Sequence, residues 1–222
     1  MIITKKRDFK DLMENIRNYK SFFLIGCSEC ASLCGTGGEP ELKAMKETLE
    51  AEGKTVTGTL LPKTGCQTLG TKIELKKDKD ACAAADAVII LSCGAGTQSA
   101  VEIFPDKPVF PANDSLFLGN MTRFQMFDER CSLCGQCILD KTGGICPVTA
   151  CPKGLLNGPC GGTNEGKCEV SSDIECAWVR IYERMKKTNQ LDDLKKTLSP
   201  KDWSAGRKPA KLNVRETKEV KK

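Results

Sequence analysis

Eight of the fourteen cysteines lie between residues 131 and 176, in a segment rich in glycine and proline that has no apolar period. Such a segment cannot bury a hydrophobic core unaided, so we expect it to fold around bound metal. It opens with the compact run Cys131-x2-Cys134-x2-Cys137, and two later cysteines, Cys146 and Cys151, each precede a proline. This pattern is typical of bacterial ferredoxins, in which such thiolates hold an iron–sulfur cluster. The cysteine pattern therefore predicts an electron-carrying protein.

The eight cysteines suit two four-thiolate sites. The first would take the compact run and one proline-linked cysteine. The second would take the other proline-linked cysteine and the three cysteines that follow, Cys160, Cys168 and Cys176. Sequence order leaves the partition of Cys146 and Cys151 open, because in ferredoxins this cysteine often serves the other cluster. The alternative is two zinc sites with four cysteine ligands each, although zinc ribbons use paired C-x2-C knuckles.

Histidine is absent from the chain. This removes the commonest general base and excludes Ser-His-Asp and Cys-His catalysis, together with zinc sites that mix cysteine and histidine. The acidic residues lie mostly among lysines, where a solvated face is the ordinary interpretation. We therefore predict no catalytic residue in this chain.

The formal net charge of +5 comes from residues 205–222, which hold seven basic and two acidic side chains. The preceding residues carry equal numbers of both signs, which does not suit a nucleic-acid-binding surface. The basic tail has no apolar period, so we expect it to be disordered or bound to a partner.

The distribution of apolar residues indicates the cellular compartment of the protein. No stretch approaches the about 20 apolar residues that a membrane helix needs, and the first 20 residues lack the apolar centre of a signal peptide. We expect a cytoplasmic protein without membrane insertion. There, clustered cysteines indicate metal more often than a disulfide framework.

Residues 1–126 alternate between short apolar runs and amphipathic segments, which predicts an α/β domain. The fold class we expect is a small Rossmann- or flavodoxin-like parallel sheet with helices on both faces. The predicted strands are 21–26, 55–61, 87–91 and 108–111, and the predicted helices are 5–20, 40–52, 72–85 and 96–104. Residues 115–129 have apolar residues at roughly helical spacing and predict a packing helix.

Residues 127–204 predict a Cys-rich, ferredoxin-like metal domain with little regular structure and a C-terminal helix. The helix is indicated by apolar residues at helical spacing from Trp178 to Met185. The basic tail, residues 205–222, follows this domain.

The α/β domain has its own cysteine pattern. Cys27 and Cys93 follow the first and third predicted strands, and Cys66 follows the second. Because the carboxyl ends of parallel strands share one edge of a sheet, we expect these thiols to converge. Cys27, Cys30 and Cys34, spaced C-x2-C-x3-C, would supply three ligands. Cys66 and Cys93 would compete for the fourth place.

The remaining residues of this region have simpler interpretations. Cys82, on an alanine-rich segment, is expected to be a small buried residue. The alternative for the glycine-rich turn with Gly35, Gly37 and Gly38 is nucleotide or flavin binding. The turn lacks both G-x-G-x-x-G and the P-loop pattern, which disfavours that alternative.

Several unusual strings occur in order along the chain and together resemble the MetV family. They are GC-x2-C-x3-C from residue 26, SCGAG (92–96), FDERCSLCGQC (127–137), TGGICP (142–147), LLNGPCGG (155–162), GKCE (166–169), CAW (176–178), IYER (181–184) and PKDWS (200–204). The resemblance covers roughly residues 20–204. MetV is the small subunit of certain bacterial methylenetetrahydrofolate reductases.

The resemblance implies a partner and a role. The partner would be a TIM-barrel, MetF-like subunit that binds FMN and reduces 5,10-methylenetetrahydrofolate to 5-methyltetrahydrofolate, a step of the reductive acetyl-CoA pathway. This chain would be a non-catalytic subunit of that oxidoreductase complex. It would pass electrons through two or three 4Fe-4S clusters to the flavin, with zinc possible at one four-cysteine site. A further subunit or a ferredoxin would supply the electrons.

Two alternatives stay open at this point. The chain could be a zinc-stabilised scaffold subunit of the same reductase. It could instead donate electrons to a corrinoid methyltransferase.

Overall fold

The structure, a computed structural model, describes residues 1–214. The helices and strands are, in chain order, β1 (Ile2–Lys6), α1 (Phe9–Asn15), β2 (Ser21–Ile25), α2 (Cys30–Leu33), α3 (Glu39–Ala51), β3 (Thr55–Leu60), α4 (Thr68–Glu74), α5 (Lys79–Ala84), β4 (Ala87–Ile90), α6 (Gly94–Ile103), β5 (Val109–Pro111), β6 (Asn113–Arg123), β7 (Met126–Cys131), α7 (Pro147–Ala150), β8 (Lys167–Cys168), β9 (Ser171–Glu175) and α8 (Ala177–Lys187). Short 3-10 turns cover Leu75–Asp78, Leu139–Lys141, Leu191–Lys195 and Trp203–Gly206. The chain divides into two units, residues 1–128 and the residues from 129 onward.

The first unit is built on a parallel sheet with strand order β3-β2-β4-β5. Along β2, Phe22 and Leu24 pack against α1 and α3 on one face, whereas Phe23 packs with α5 and α6 on the other. Successive strand side chains point to opposite faces, so a run that is apolar throughout fills both layers. Each fully buried phenylalanine contributes about 1.5–3 kcal/mol. The predicted fold class is confirmed.

The amino-terminal prediction is wrong in part. Residues 2–6 form β1, which pairs antiparallel with β6, and the helix is confined to Phe9–Asn15. Asp8 sets the helix start, because its carboxylate accepts a hydrogen bond from the backbone N–H of Lys10 at 2.7 Å. The pairing of β1 with a strand over 100 residues away overrides the local apolar spacing.

The predicted packing helix over 115–129 is also wrong. The segment forms the hairpin β6–β7, which joins β1 in a three-stranded sheet. Gln125 makes the turn with a positive φ of 58°. Gly119 is required here, since a Cβ would overlap the backbone carbonyl of Asp128 on the opposite strand. The segment forms strands because β6 pairs with the distant strand β1. The spacing of its few apolar residues did not reveal this pairing.

Two glycines let the loop after β2 lie directly on the carboxyl edge of the parallel sheet. A Cβ at Gly37 would overlap the backbone carbonyl of Leu91, and one at Gly26 would overlap that of Gly37. The N–H of Cys27 donates to the Gly37 carbonyl at 2.9 Å. Gly37 therefore serves close backbone packing.

The second unit has little regular structure. Trp178, Ile181 and Met185 of α8 form a small core with Leu155 and Leu191. Residues 215–222 of the predicted basic tail lie outside the described residues. No helix within residues 1–214 is both long and apolar enough to cross a membrane.

We predict that Gly37→Ala destabilises the first unit by about 3 kcal/mol, because the added methyl group must displace backbone atoms rather than a flexible side chain. Urea unfolding measures the effect. Gly94→Ala is the matched control, since its Cβ would meet only Ser115 Oγ at 3.5 Å. A Gly37→Ala protein as stable as the control would contradict the packing role.

We also predict a pH-dependent loss of stability in Asp86→Ala. Backbone hydrogen bonds from Ser21 (2.9 Å) and Lys20 (3.0 Å) lower the pKa of the Asp86 carboxyl. A lowered folded-state pKa stabilises the fold above the unfolded-state pKa, and this stabilisation disappears as the pH falls through the folded-state value. The melting temperature should therefore drop at pH 7, and the difference should shrink under strong acid. Asp106→Ala, in an exposed loop, should show neither effect.

Candidate metal centres

The cysteines gather in groups, although none is a closed coordination sphere. Within residues 1–214, no three cysteine, aspartate or glutamate side chains form a group that could hold a metal ion directly. The cysteine groups are more open than a metal coordination sphere. The members of each group line one cavity, lie in contacting loops or repel one another electrostatically.

The first group lies at the carboxyl edge of the parallel sheet. Cys27 follows β2, Cys30 begins α2, Cys66 lies in the loop after β3, and Cys93 caps the start of α6 after β4. Strand order reverses at the neighbouring strands β2 and β4, and α/β sheets bind their ligands at such a switch point. The fold therefore delivers four thiols from three loops to one place.

The electrostatics show that these thiols are close. Burial raises the pKa of the Cys66 thiol, and repulsion from Cys93, from Cys27 and more weakly from Cys30 raises it further. Cys27 and Cys93 are both buried. The backbone N–H of Gly65 donates to Cys27 Sγ at 3.4 Å.

Hydroxyl groups hold the Cys66 loop in place. The Ser99 hydroxyl on α6 donates to the backbone carbonyl of Cys66 at 3.2 Å, and the Thr68 hydroxyl donates to Ser99 at 3.1 Å. The N–H of Ser28 donates to the Pro62 carbonyl at 3.0 Å. These contacts tie the loop after β3 to the elements that carry Cys27 and Cys93. The sequence contained no signal for them.

Two cysteines of the first unit lie elsewhere. Cys34 does not contribute to the pKa of Cys66, and it lines a groove with Ile3 and Leu116 of the other sheet. Its role as a ligand stays a prediction. Cys82 packs in the hydrophobic core, where burial above all, and then Asp78, raises its pKa to about 11.

The second group surrounds a small cavity in the second unit. The four cysteines that line this cavity are Cys151, Cys160, Cys168 and Cys176. The grouping favours one answer to the open partition: Cys151 belongs with the three later cysteines, and Cys146 is left for the compact run.

Charged and aromatic side chains close this cavity. Glu169 Oε1 lies 3.7 Å from the Cys160 sulfur and forms an ion pair with Lys153, and both charged residues line the cavity. Trp178 is 6% exposed and donates from Nε1 to the Leu155 carbonyl at 3.1 Å. The motif GKCE contains Glu169, but its spacing did not reveal this contact.

The third group is the compact run with Cys146. Ser132 and Thr149 share a hydrogen bond of 2.9 Å, which places α7 against the run, and Cys146 caps the start of α7. The N–H of Leu133 points at Cys131 Sγ at 3.4 Å. Within residues 1–214, no hydrogen bond joins Cys134, Cys137 and Cys146 to one another, so their shared ligation stays a prediction.

The segment after α8 contacts the loop of the compact run at Gly135 and Gln136. Lys201 donates from Nζ to the backbone carbonyl of Gln136, and the N–H of Asp202 donates to the Gln136 side chain at 2.9 Å. Gly135 has a positive φ of 77°, and a Cβ there would overlap the Ala205 backbone. Residues 201–206, which include most of the string PKDWS, therefore hold the cysteine loop in place, and we call them the clamp. Their sequence did not indicate this contact.

Fold and thiol groups define a class: an α/β sheet unit with thiols at its carboxyl edge, followed by a cysteine-rich unit. Within the second part, residues 110–204 match the model of the family described as methylene-tetrahydrofolate reductase C terminal. The match confirms the predicted link to methylenetetrahydrofolate reductase for this segment, which is less than half of the chain. A search of curated proteins and a search of solved structures found no match.

We predict that Cys93→Ser lowers the pKa of Cys66 in metal-free protein, because the substitution removes the largest source of charge repulsion on that thiol. The pH profile of iodoacetamide labelling at Cys66, followed by mass spectrometry, should shift to lower pH. Cys34→Ser is the matched control and should leave the profile unchanged. An equal shift in the control would place Cys34 in the group.

Proposed function

We propose that this chain is an electron-transfer subunit of a methylenetetrahydrofolate reductase of the MetV type. The observation that carries the proposal is the cavity lined by Cys151, Cys160, Cys168 and Cys176, within the segment that matches the reductase family. Thiolate-only donor sets without histidine suit iron–sulfur clusters or zinc.

In this proposal the cysteines would hold such groups at three places. The cysteine cavity would hold one cluster, and the compact run with Cys146 a second. The four thiols at the sheet edge would hold a third group. The N–H groups of Gly65 and Leu133, each 3.4 Å from a cysteine sulfur, would stabilise the reduced state. Iron–sulfur clusters supply one-electron transfer.

The chain's own residues would bind and shield these groups. Trp178 and the ion pair of Lys153 with Glu169 wall the cysteine cavity, and the 201–206 clamp holds Gly135 and Gln136 of the compact run. At the cysteine cavity these walls would limit the access of water, which is one of the factors that tune the potential of a bound cluster.

The partner in this proposal is a flavin-containing, TIM-barrel subunit of MetF type. It would receive the electrons at its FMN and reduce 5,10-methylenetetrahydrofolate to 5-methyltetrahydrofolate. A further subunit or a ferredoxin would be the electron donor. The match of residues 110–204 to a reductase family supports the pairing.

One observation favours a second candidate, a zinc-stabilised scaffold subunit of the same reductase. The cavity between the four cysteines has a volume of about 20 Å³, which is room for about one water-sized sphere. A single zinc ion with four thiolates needs less room than a cube of iron and sulfide.

We predict that anaerobically purified protein is brown, contains iron and sulfide in equal amounts, and bleaches with dithionite. Cys168→Ser should remove about four irons per chain, the content of one cluster. Iron, sulfide and zinc are counted per chain for each variant. Cys82→Ala is the matched control and should keep the full metal content, because Cys82 lies in the core of the first unit.

Colourless protein that holds only stoichiometric zinc would contradict the electron-transfer proposal and support the scaffold. The partner proposal has a separate readout. Anaerobic co-expression with a MetF-type flavoprotein should yield a stable complex, and failure of the two proteins to associate would contradict the pairing.

A further inference from the structure

Lys201, the first residue of the clamp, is buried beside the compact run. The residue is 8% exposed, and it is the one buried lysine within residues 1–214. Its Nζ donates to the backbone carbonyl of Gln136, which directly precedes Cys137. Lysine is almost never fully buried unless its charge is paired, because removing an ammonium group from water is costly. The burial of Lys201 therefore calls for a negative charge nearby.

No carboxylate supplies that charge in the part of the chain that the structure describes. Lys201 forms no ion pair there, and its other contact is the Trp203 ring, whose centroid lies 6.0 Å from Nζ. The adjacent Asp202 carboxylate instead accepts the Ser204 hydroxyl at 2.6 Å and the Ser204 N–H at 2.9 Å, and these hydrogen bonds lower the pKa of Asp202. A carbonyl and an aromatic ring attract a cation but carry no net charge.

Lys107 in the first unit provides a comparison. Its Nζ also donates to backbone carbonyls, those of Ala83 and Ala85 at the end of α5, where a helix is partly negative. After the hydrogen bonds that Asp86 accepts, the Lys107 charge further lowers the pKa of that carboxyl. Lys107 is only half-buried. Lys201 is more deeply buried and donates to a loop carbonyl without a comparable counter-charge among residues 1–214.

The clamp holds Lys201 against the loop of the compact run. A Cβ at Gly135 would overlap the backbone carbonyl of Ala205, and a Cβ at Gly206 would lie 2.9–3.1 Å from backbone atoms of Cys134. The segment that carries the ammonium and the loop that carries the thiols therefore pack backbone against backbone.

We propose that Lys201 is the counter-cation of a metal group bound by the compact run and Cys146. Four thiolate ligands carry four negative charges, of which a zinc ion or the core of a 4Fe-4S cluster offsets only about two. The remaining negative charge balances the buried ammonium. The inference rests on the proposed metal binding at this place and assigns Lys201 a function beside the ligands.

The Lys201 charge has a defined effect on an iron–sulfur cluster. Reduction adds one electron and therefore one negative charge, which a nearby cation stabilises. Lys201 thus raises the reduction potential of the compact-run cluster. It also stabilises the anionic thiolate group itself, with iron or with zinc.

The experiment compares full-length variants purified without oxygen. Lys201→Gln removes the charge but keeps an N–H donor for the Gln136 carbonyl, whereas Lys201→Arg keeps both. Lys187→Gln removes an exposed charge in the last turn of α8 and is the matched control. Cys134→Ser identifies the metal of the compact run by its loss. Redox titration followed by electron paramagnetic resonance measures the potential of each cluster, and a chelator challenge measures the rate of metal release.

We expect Lys201→Gln to lower the potential of the compact-run cluster alone. The ratio of oxidised to reduced cluster at a fixed potential should rise about tenfold, which is about 59 mV for one electron. The metal of the compact run should also pass to the chelator about tenfold faster. Lys201→Arg and Lys187→Gln should match the wild-type protein in both measurements. Loss of this metal in Lys201→Gln with retention in Lys201→Arg is the extreme form of the same result.

The potential decides the question if the compact run holds iron, and the release rate decides it if the run holds zinc. Zinc there would contradict electron transfer at this site and still test Lys201. The inference is overturned if Lys201→Gln behaves like Lys187→Gln, if Lys201→Arg changes as much as Lys201→Gln, or if every cluster shifts equally. It is also overturned if the compact run of the wild-type protein holds neither metal.

Discussion

The fold depends on the close backbone contact between Gly37 and Leu91 at the carboxyl edge of the parallel sheet. Because Gly37 has no Cβ, the loop after β2 packs directly against the Leu91 backbone at the ends of the strands. Cys27 is thereby held at the edge where Cys93 follows the neighbouring strand β4, and both thiols act on the charge of Cys66 in the loop after β3. The preceding residue, Thr36, accepts a hydrogen bond from Asn113 Nδ2 on its backbone carbonyl at 3.1 Å, which also ties this loop to the start of β6. One glycine thus positions the loop that carries Cys27 in the first unit.

The second unit has a different source of stability from the first. Its small core around α8 is the main apolar packing in the described part, and the rest consists of turns rich in glycine and proline. A segment of this kind gains stability from thiolate ligation rather than from burial. The cavity of Cys151, Cys160, Cys168 and Cys176, with the clamp on the compact run, is where that stability would arise. Metal content and folding should therefore be coupled.

The sequence was sufficient to predict those parts of the fold that a local pattern determines. Buried strands of a parallel sheet are apolar throughout, so β2 and β4 were predictable, and with them the edge where thiols converge. It missed β1 and the β6–β7 hairpin, because their pairing joins residues more than 100 positions apart and overrides weak local periodicity. It did not assign Cys146 and Cys151 to separate four-cysteine sites, because the geometry of the turns decides which group each cysteine joins. The contacts of Asn113 and Glu169 had no sequence signal, as they depend on tertiary packing alone.

The most direct test of the account is anomalous X-ray diffraction from crystals grown anaerobically, with data collected at the iron and zinc absorption edges. The account predicts an iron signal enclosed by Cys151, Cys160, Cys168 and Cys176, where the structure gathers four thiols in the segment that matches the reductase family. A signal at the zinc edge alone in that cavity would contradict electron transfer at this site. An iron signal bound by Cys146 in place of Cys151 would contradict the partition of the cysteines.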